Sequence, residues 1–202
     1  MAYSDFTLKD LKVKFGIENK VQNLFSTLPP FAVSEDLKED LRLAKTLPVR
    51  SEKAKSELIV MPILIELMKQ NEQFFTIYSG DTLIADRNNG LAGECDFILA
   101  KNTGTFDINT PIITVVEAKK NDVDIGIPQC AAQMVGAMVF NQEYGNEIGK
   151  IYGCVTTADD WIFLKLENNV LYIDNQKYYL GKIEELLGVF QHIIDYYKEV
   201  LG

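Results

Sequence analysis

The sequence predicts a mixed α/β fold, a central β-sheet flanked by helices, with a helical N-terminal extension over residues 1–49 packed on a main domain over 50–202. Three observations lead there. Residues 5–47 carry apolar side chains at spacings of three and four, the period of an amphipathic helix. From Phe74 onward the pattern changes to short β-branched or aromatic runs bounded by Gly, Asn, Asp and Pro. The resulting order of helix, strands, helix, strands, helix is not the strict alternation of a doubly wound fold, so the sheet is expected to be mixed.

Each element has its own signal. Residues 17–25 place Ile17, Val21, Leu24 and Phe25 at helical spacing, so a helix is expected there. Pro29-Pro30 separates it from a second helix, which Ser34 caps and Glu35 and Asp36 open. A third helix is expected from Ser51 to about Lys69, with Leu58, Ile59, Ile63 and Leu67 as its buried stripe and Pro62 as a kink or a break. Residues 74–78, 83–85, 94–99, 112–117 and 151–157 read as strands. Residues 161–166 and 170–173 read as a hairpin turning at Asn168-Asn169. Residues 127–140, rich in small side chains, read as a helix that packs closely on the sheet, and residues 183–201 as a closing amphipathic helix.

Composition narrows the function classes. A chain of 202 residues buries a core without disulfides or a structural metal. The three cysteines, Cys95, Cys130 and Cys154, form no CxxC pair and read as reduced core thiols. The first residues lack a basic stretch followed by an apolar one, so no signal peptide and a cytoplasmic location are expected. The longest apolar run, 58–65, contains Pro62 and is far short of the ~20 residues of a membrane span, so no membrane partner is expected. His192, the single histidine, lies in an apolar run, which argues against zinc sites and histidine-based triads. A net charge of −9 argues against a general nucleic-acid coat protein, but is compatible with an acidic catalytic site that works through a bound cation.

Four groups of residues have the chemistry for such a site. Glu117 and Lys119, at the end of an apolar strand, alternate onto one face and so must be paired or used. Read alone, they fit a surface ion pair equally well. Asp96 lies within a second strand, where Glu94 shares its face; a carboxylate there and that of Glu117 would repel at close range and favour a cation between them, with Mg²⁺ the natural candidate. Glu57 leads directly into an apolar helical face and offers a further carboxylate, or else a solvated one. Gln129 and Gln133, four apart on the helix after the Glu117 strand, share a face, with Gln133 expected to orient Lys119 or a phosphate.

In this order, an acid on an early helix (Glu57), Asp96 on a strand, Glu117-Ala118-Lys119-Lys120 at the end of the next and a Gln-bearing helix after it, the chain resembles the PD-(D/E)XK restriction-endonuclease-like nucleases. Over residues 50–165 it is similar to the nuclease domain at the N-terminus of type I restriction-enzyme motor subunits; Cys95 stands where the motif's name has proline. The resemblance implies a restriction-endonuclease-like sheet and a Mg²⁺-dependent (or Mn²⁺-dependent) phosphodiester hydrolase. Asp96, Glu117 and Glu57 would hold the metal, Lys119 would stabilise charge or orient water, and Gln133 would assist. It implies nucleic acid, DNA foremost, as partner. Lys45, Arg50, Lys53 and Lys55 form a basic strip suited to a sugar-phosphate backbone. Because some members of the superfamily lack catalysis, the rival reading is a binding or assembly module, with a homodimer left open.

Overall fold

The computed structural model describes residues 2–202. Its chain begins with a 3-10 turn at Tyr3–Asp5 and α1 at Leu8–Phe15, which Thr7 caps and Gly16, in the left-handed region at φ 68°, ends. β1 (Glu18–Gln22) follows, then α2 (Glu35–Ala44), α3 (Glu52–Lys55), a π-turn (Ser56–Val60) and α4 (Met61–Gln70). The strands β2 (Phe75–Asp86), β3 (Leu91–Lys101) and β4 (Ile112–Ala118) precede α5 (Ile127–Glu143). β5 (Lys150–Thr156), β6 (Asp160–Glu167), β7 (Val170–Tyr179) and α6 (Ile183–Leu201) complete the chain.

The sheet has seven strands in the order β1-β7-β6-β5-β4-β3-β2. It is mixed, as expected: β1 runs parallel to β7 and β4 parallel to β5, and the other neighbours are antiparallel. β4 is buried along its whole length and β5 everywhere but at Lys150, which is why their sequences are nearly continuous apolar runs rather than alternating ones. The β6–β7 hairpin turns at Asn168 (φ 52°) and Asn169 (φ 58°), the positive angles that a two-residue turn demands and asparagine tolerates.

Two expectations need correction. Residues 18–22 form an exposed edge strand, not part of a helix. Gly16 ends α1, and the backbone then pairs with β7 from Glu18↔Val170 to Gln22↔Asp174, a partner more than 150 residues away that local periodicity cannot register. The N-terminal region is therefore part of the main sheet rather than a purely helical extension, and Tyr3, Phe6, Leu11, Phe25 and Leu37 belong to one core with the sheet residues. Second, the runs expected at 74–78 and 83–85 belong to one strand, β2, which starts at Phe75 and passes through Gly80 at φ +71°.

The remaining helices follow their local signals. Ser34 Oγ accepts from the Leu37 N–H, and the Ser34 N–H and Oγ donate to the two oxygens of Glu66 at 2.9 and 2.8 Å. Glu66, an acid on the buried face of α4, is thus tied to the cap of α2 and has its hydrogen bonds met. The helical stretch expected from Ser51 starts there and widens into the π-turn just before Pro62. α5 is pinned to β4: Asn141 Nδ2 donates to the Ile112 carbonyl at 2.8 Å and Asn141 Oδ1 accepts from the Ile112 N–H at 2.7 Å. Among the described residues no helix is long and apolar enough to cross a membrane.

Candidate active site

The candidate site lies where the C-terminal end of β4 meets β3 and the first turns of α5. β3 pairs with β4 as Phe97↔Val116 and Ile98↔Val115, a register that carries Asp96 to a position across from Glu117. Asp96 Oδ2 accepts from the Ala118 N–H at 2.7 Å, and no donor among the described residues reaches its other oxygen. β4 ends at Ala118, yet Lys119 is still tethered, because its N–H donates to the Thr156 carbonyl of β5 at 2.7 Å. Its ammonium lies on the Glu117 face, as strand alternation requires, and donates to Glu117 Oε1 at 2.5 Å and to Gln129 Oε1 at 3.0 Å. Glu117 Oε2 accepts from Gln133 Nε2 at 2.7 Å.

These groups open onto a cavity of about 290 Å³, lined by Asp96, Glu117, Lys119 and Gln129 together with Glu52, Glu94 and the Ala2–Ser4 segment. Glu117 is only 2% exposed. Burial, and secondarily the Asp96 carboxylate, push its carboxyl up to about 7, although Lys119 and Gln133 act against the rise. Asp96 is also raised, chiefly by burial, while the Ala118 N–H and Lys119 oppose and Glu52 and Glu94 add to the rise. The site therefore gathers negative charge that one ammonium does not neutralise.

The expected site residues divide. Asp96, Glu117 and Lys119 come together. Glu57 does not: its side chain is 61% exposed, stands 3.8 Å from Lys53 and lines no part of the cavity. Glu52 takes the helical acid's place, its Oε1 accepting from the Lys120 N–H at 2.9 Å. Five residues along a helix is a rotation of about 140°, so Glu52 and Glu57 face different ways. The signal was present in the sequence, since Ser51 as N-cap places an acid in the first turn, and Ser51 Oγ does accept from the Ala54 N–H. Gln133 is also reassigned: fully buried, it holds Glu117 rather than Lys119 or a phosphate, and Gln129, one turn earlier, reaches Lys119. Of the basic strip, Lys53 is near Glu57 and Lys55 donates to the Lys120 carbonyl at 2.7 Å, beside the site, while Lys45 and Arg50 are exposed.

Gly126, at the start of α5, leaves room for Lys119. A Cβ there would stand 2.5 Å from Val155 Cγ1, 3.0 Å from Lys119 Cγ and 3.3 Å from Lys119 Cε. The lysine stem thus runs under the α5 backbone toward Glu117.

The donor set bears on the metal. No three His, Cys, Asp or Glu side chains gather at metal-binding distance among the described residues. The site offers two carboxylates, Asp96 and Glu117, raised by burial and by adjacent acids. That set fits Mg²⁺, which uses one or two carboxylates and completes its shell with water and substrate oxygens; it does not fit a caged structural ion. A larger cleft of about 670 Å³, near Phe25 and Tyr178, brings together no comparable set of acids and lysine.

No family model and no curated protein matches this chain significantly.

Proposed function

We propose that this protein is a divalent-metal-dependent phosphodiester hydrolase, a nuclease acting on DNA. The observation that carries the reading is the convergence of Asp96, Glu117 and Lys119, from two strands, on one small acidic cavity. The order and spacing of those residues, which resemble the PD-(D/E)XK nucleases, support it. Asp96 and Glu117 would hold Mg²⁺ or Mn²⁺, and a cation bound there supplies charge neutralisation at a phosphate. Lys119 presents an ammonium next to that position, suited to stabilising negative charge that builds on the phosphate or to orienting an attacking water. Gln129 fixes the ammonium and Gln133 fixes the carboxylate, so neither group has to be ordered during the reaction. Glu52 is at the rim and replaces Glu57 as the additional acid.

The test is Mg²⁺- or Mn²⁺-dependent cleavage of plasmid and single-stranded DNA. Lys119→Ala should lower the rate by about 100-fold or more, the usual cost of removing a charge-stabilising donor. Asp96→Asn should weaken Mn²⁺ binding measured by calorimetry. Cutting that survives Lys119→Ala unchanged overturns the assignment. One feature favours a non-catalytic binding module on the same scaffold: both Glu117 oxygens already accept bonds from the protein. On that reading, wild-type protein cuts neither substrate with either metal.

A further inference from the structure

Three buried side-chain polar atoms among the described residues have no hydrogen-bond partner, and two of them are Tyr3 Oη and Gln133 Oε1. Tyr3 is 1% exposed, and its ring packs beside Gly93 of β3. Its hydroxyl is directed at Gly136 of α5: a Cβ at Gly136 would stand 2.2 Å from Tyr3 Oη, so only glycine leaves it room. Gln133 is three residues before Gly136, on the same helix face. Its amide nitrogen is committed to Glu117 Oε2, which leaves its oxygen directed elsewhere. One atom is a donor and the other an acceptor. An unmade hydrogen bond on either costs ~1–3 kcal/mol, and a phenylalanine would fill the Tyr3 slot without that penalty.

We propose that the Tyr3 hydroxyl and Gln133 Oε1 are linked through one buried water that satisfies both, and that Tyr3 is thereby a positioning residue for Glu117. The order of the chain is Tyr3, Gln133, Glu117, Lys119, Gln129. Fixing the oxygen of the Gln133 amide fixes which end of that amide faces the carboxylate, and keeps Glu117 accepting on both oxygens. Tyr3 also docks the Ala2–Ser4 segment that walls the cavity, so one side chain sets both the wall and the carboxylate. This role in catalysis rests on the hydrolase reading; the link itself does not.

The test is a double-mutant cycle on the full chain with Tyr3→Phe and Gln133→Met, read by the denaturation midpoint. Tyr3→Phe keeps the ring and removes only the hydroxyl. It should lower the midpoint in the wild-type background and leave it unchanged or raised with Gln133→Met. A slowly exchanging Tyr3 hydroxyl proton in NMR spectra provides a second reading that needs no Gln133 variant. In metal-dependent cleavage, Tyr3→Phe should lower kcat by about tenfold with KM unchanged, the scale of loss seen when a partner behind a metal ligand is removed. A midpoint equal or raised in the wild-type background, with fast hydroxyl exchange, overturns the proposal. If the wild-type protein cuts no nucleic acid, the hydrolase reading falls, while the midpoints and the exchange still decide the link.

Discussion

Glu117 is charged at a cost. Unfolded, its carboxyl titrates near the ordinary 4.5; folded, burial and Asp96 hold its proton on up to about 7. Between those values the folded state binds the extra proton, so its contribution to stability is complete below about 4.5 and is lost as pH rises through about 7. Chelated, metal-free protein should therefore show a midpoint that falls across this window, and Glu117→Gln should flatten that part of the profile. Thermal unfolding in a chelator from pH 4 to 8 measures it, and a wild-type profile that rises across the window would contradict the assignment. Metal affinity should move the opposite way, strengthening as the carboxylate ionises. At this scale the sequence was informative where the strand period applied: Asp96, Glu117 and Lys119 were each read onto the correct face. It was less so for Glu57 and Gln133, whose roles depend on the phase of a helix against a sheet. An error of one turn or less reassigns such a residue, and composition carries no measure of that phase.

The elements that set the site are β3, β4 and the start of α5, and at that start Gly126 packs tightly on Lys119 and on Val155 of β5. Gly126→Ala would force its new methyl against Val155 and the Lys119 stem. We expect a loss of ~1–3 kcal/mol, typical of overpacking a close-packed position, and a fall in cleavage rate as the ammonium leaves its place between Glu117 and Gln129. Adding Val155→Ala relieves the nearer clash only, so the double variant should recover stability more than activity. Denaturation midpoints and cleavage rates of the two variants separate the effects; full recovery of both would show that Lys119 does not depend on Gly126. Most elements were legible because their signals are local: Ser34 as a cap, the helix start near Ser51, the Asn168-Asn169 turn, and the nearly continuous apolar runs of β4 and β5. Residues 18–22 were not, because their spacing fits a helix and only pairing with β7 makes them a strand.

Across the whole molecule, burial is graded from the interior of the sheet to its β1 edge. β4 is buried along its whole length and β5 nearly so, whereas all five residues of β1 are exposed. Amides of β4 and β5 should exchange with solvent through global unfolding, and those of β1 at least about tenfold faster through local opening. Native-state hydrogen exchange measures the difference; equal protection would mean that β1 is as firmly held as the centre. The site is built on interior strands, with Asp96 on β3 and Glu117 on β4, and α5 is fastened to β4 by Asn141. Only its Ala2–Ser4 wall comes from the N-terminal region, and Tyr3 anchors that wall in the core.

The sequence by itself determined the α/β class, the caps and turns, the core strands, and the common face of Glu117 and Lys119, because backbone periodicity, hydrogen-bonding side chains and apolar pattern act over a few residues. The tertiary structure alone decided that Glu52 and not Glu57 reaches the cavity, that Gln133 holds the carboxylate while Gln129 holds the lysine, that residues 18–22 form an edge of the sheet, and that Tyr3 lines the cavity. Each of these depends on which distant surfaces meet and at what rotation, and that is set by the packing of the whole core.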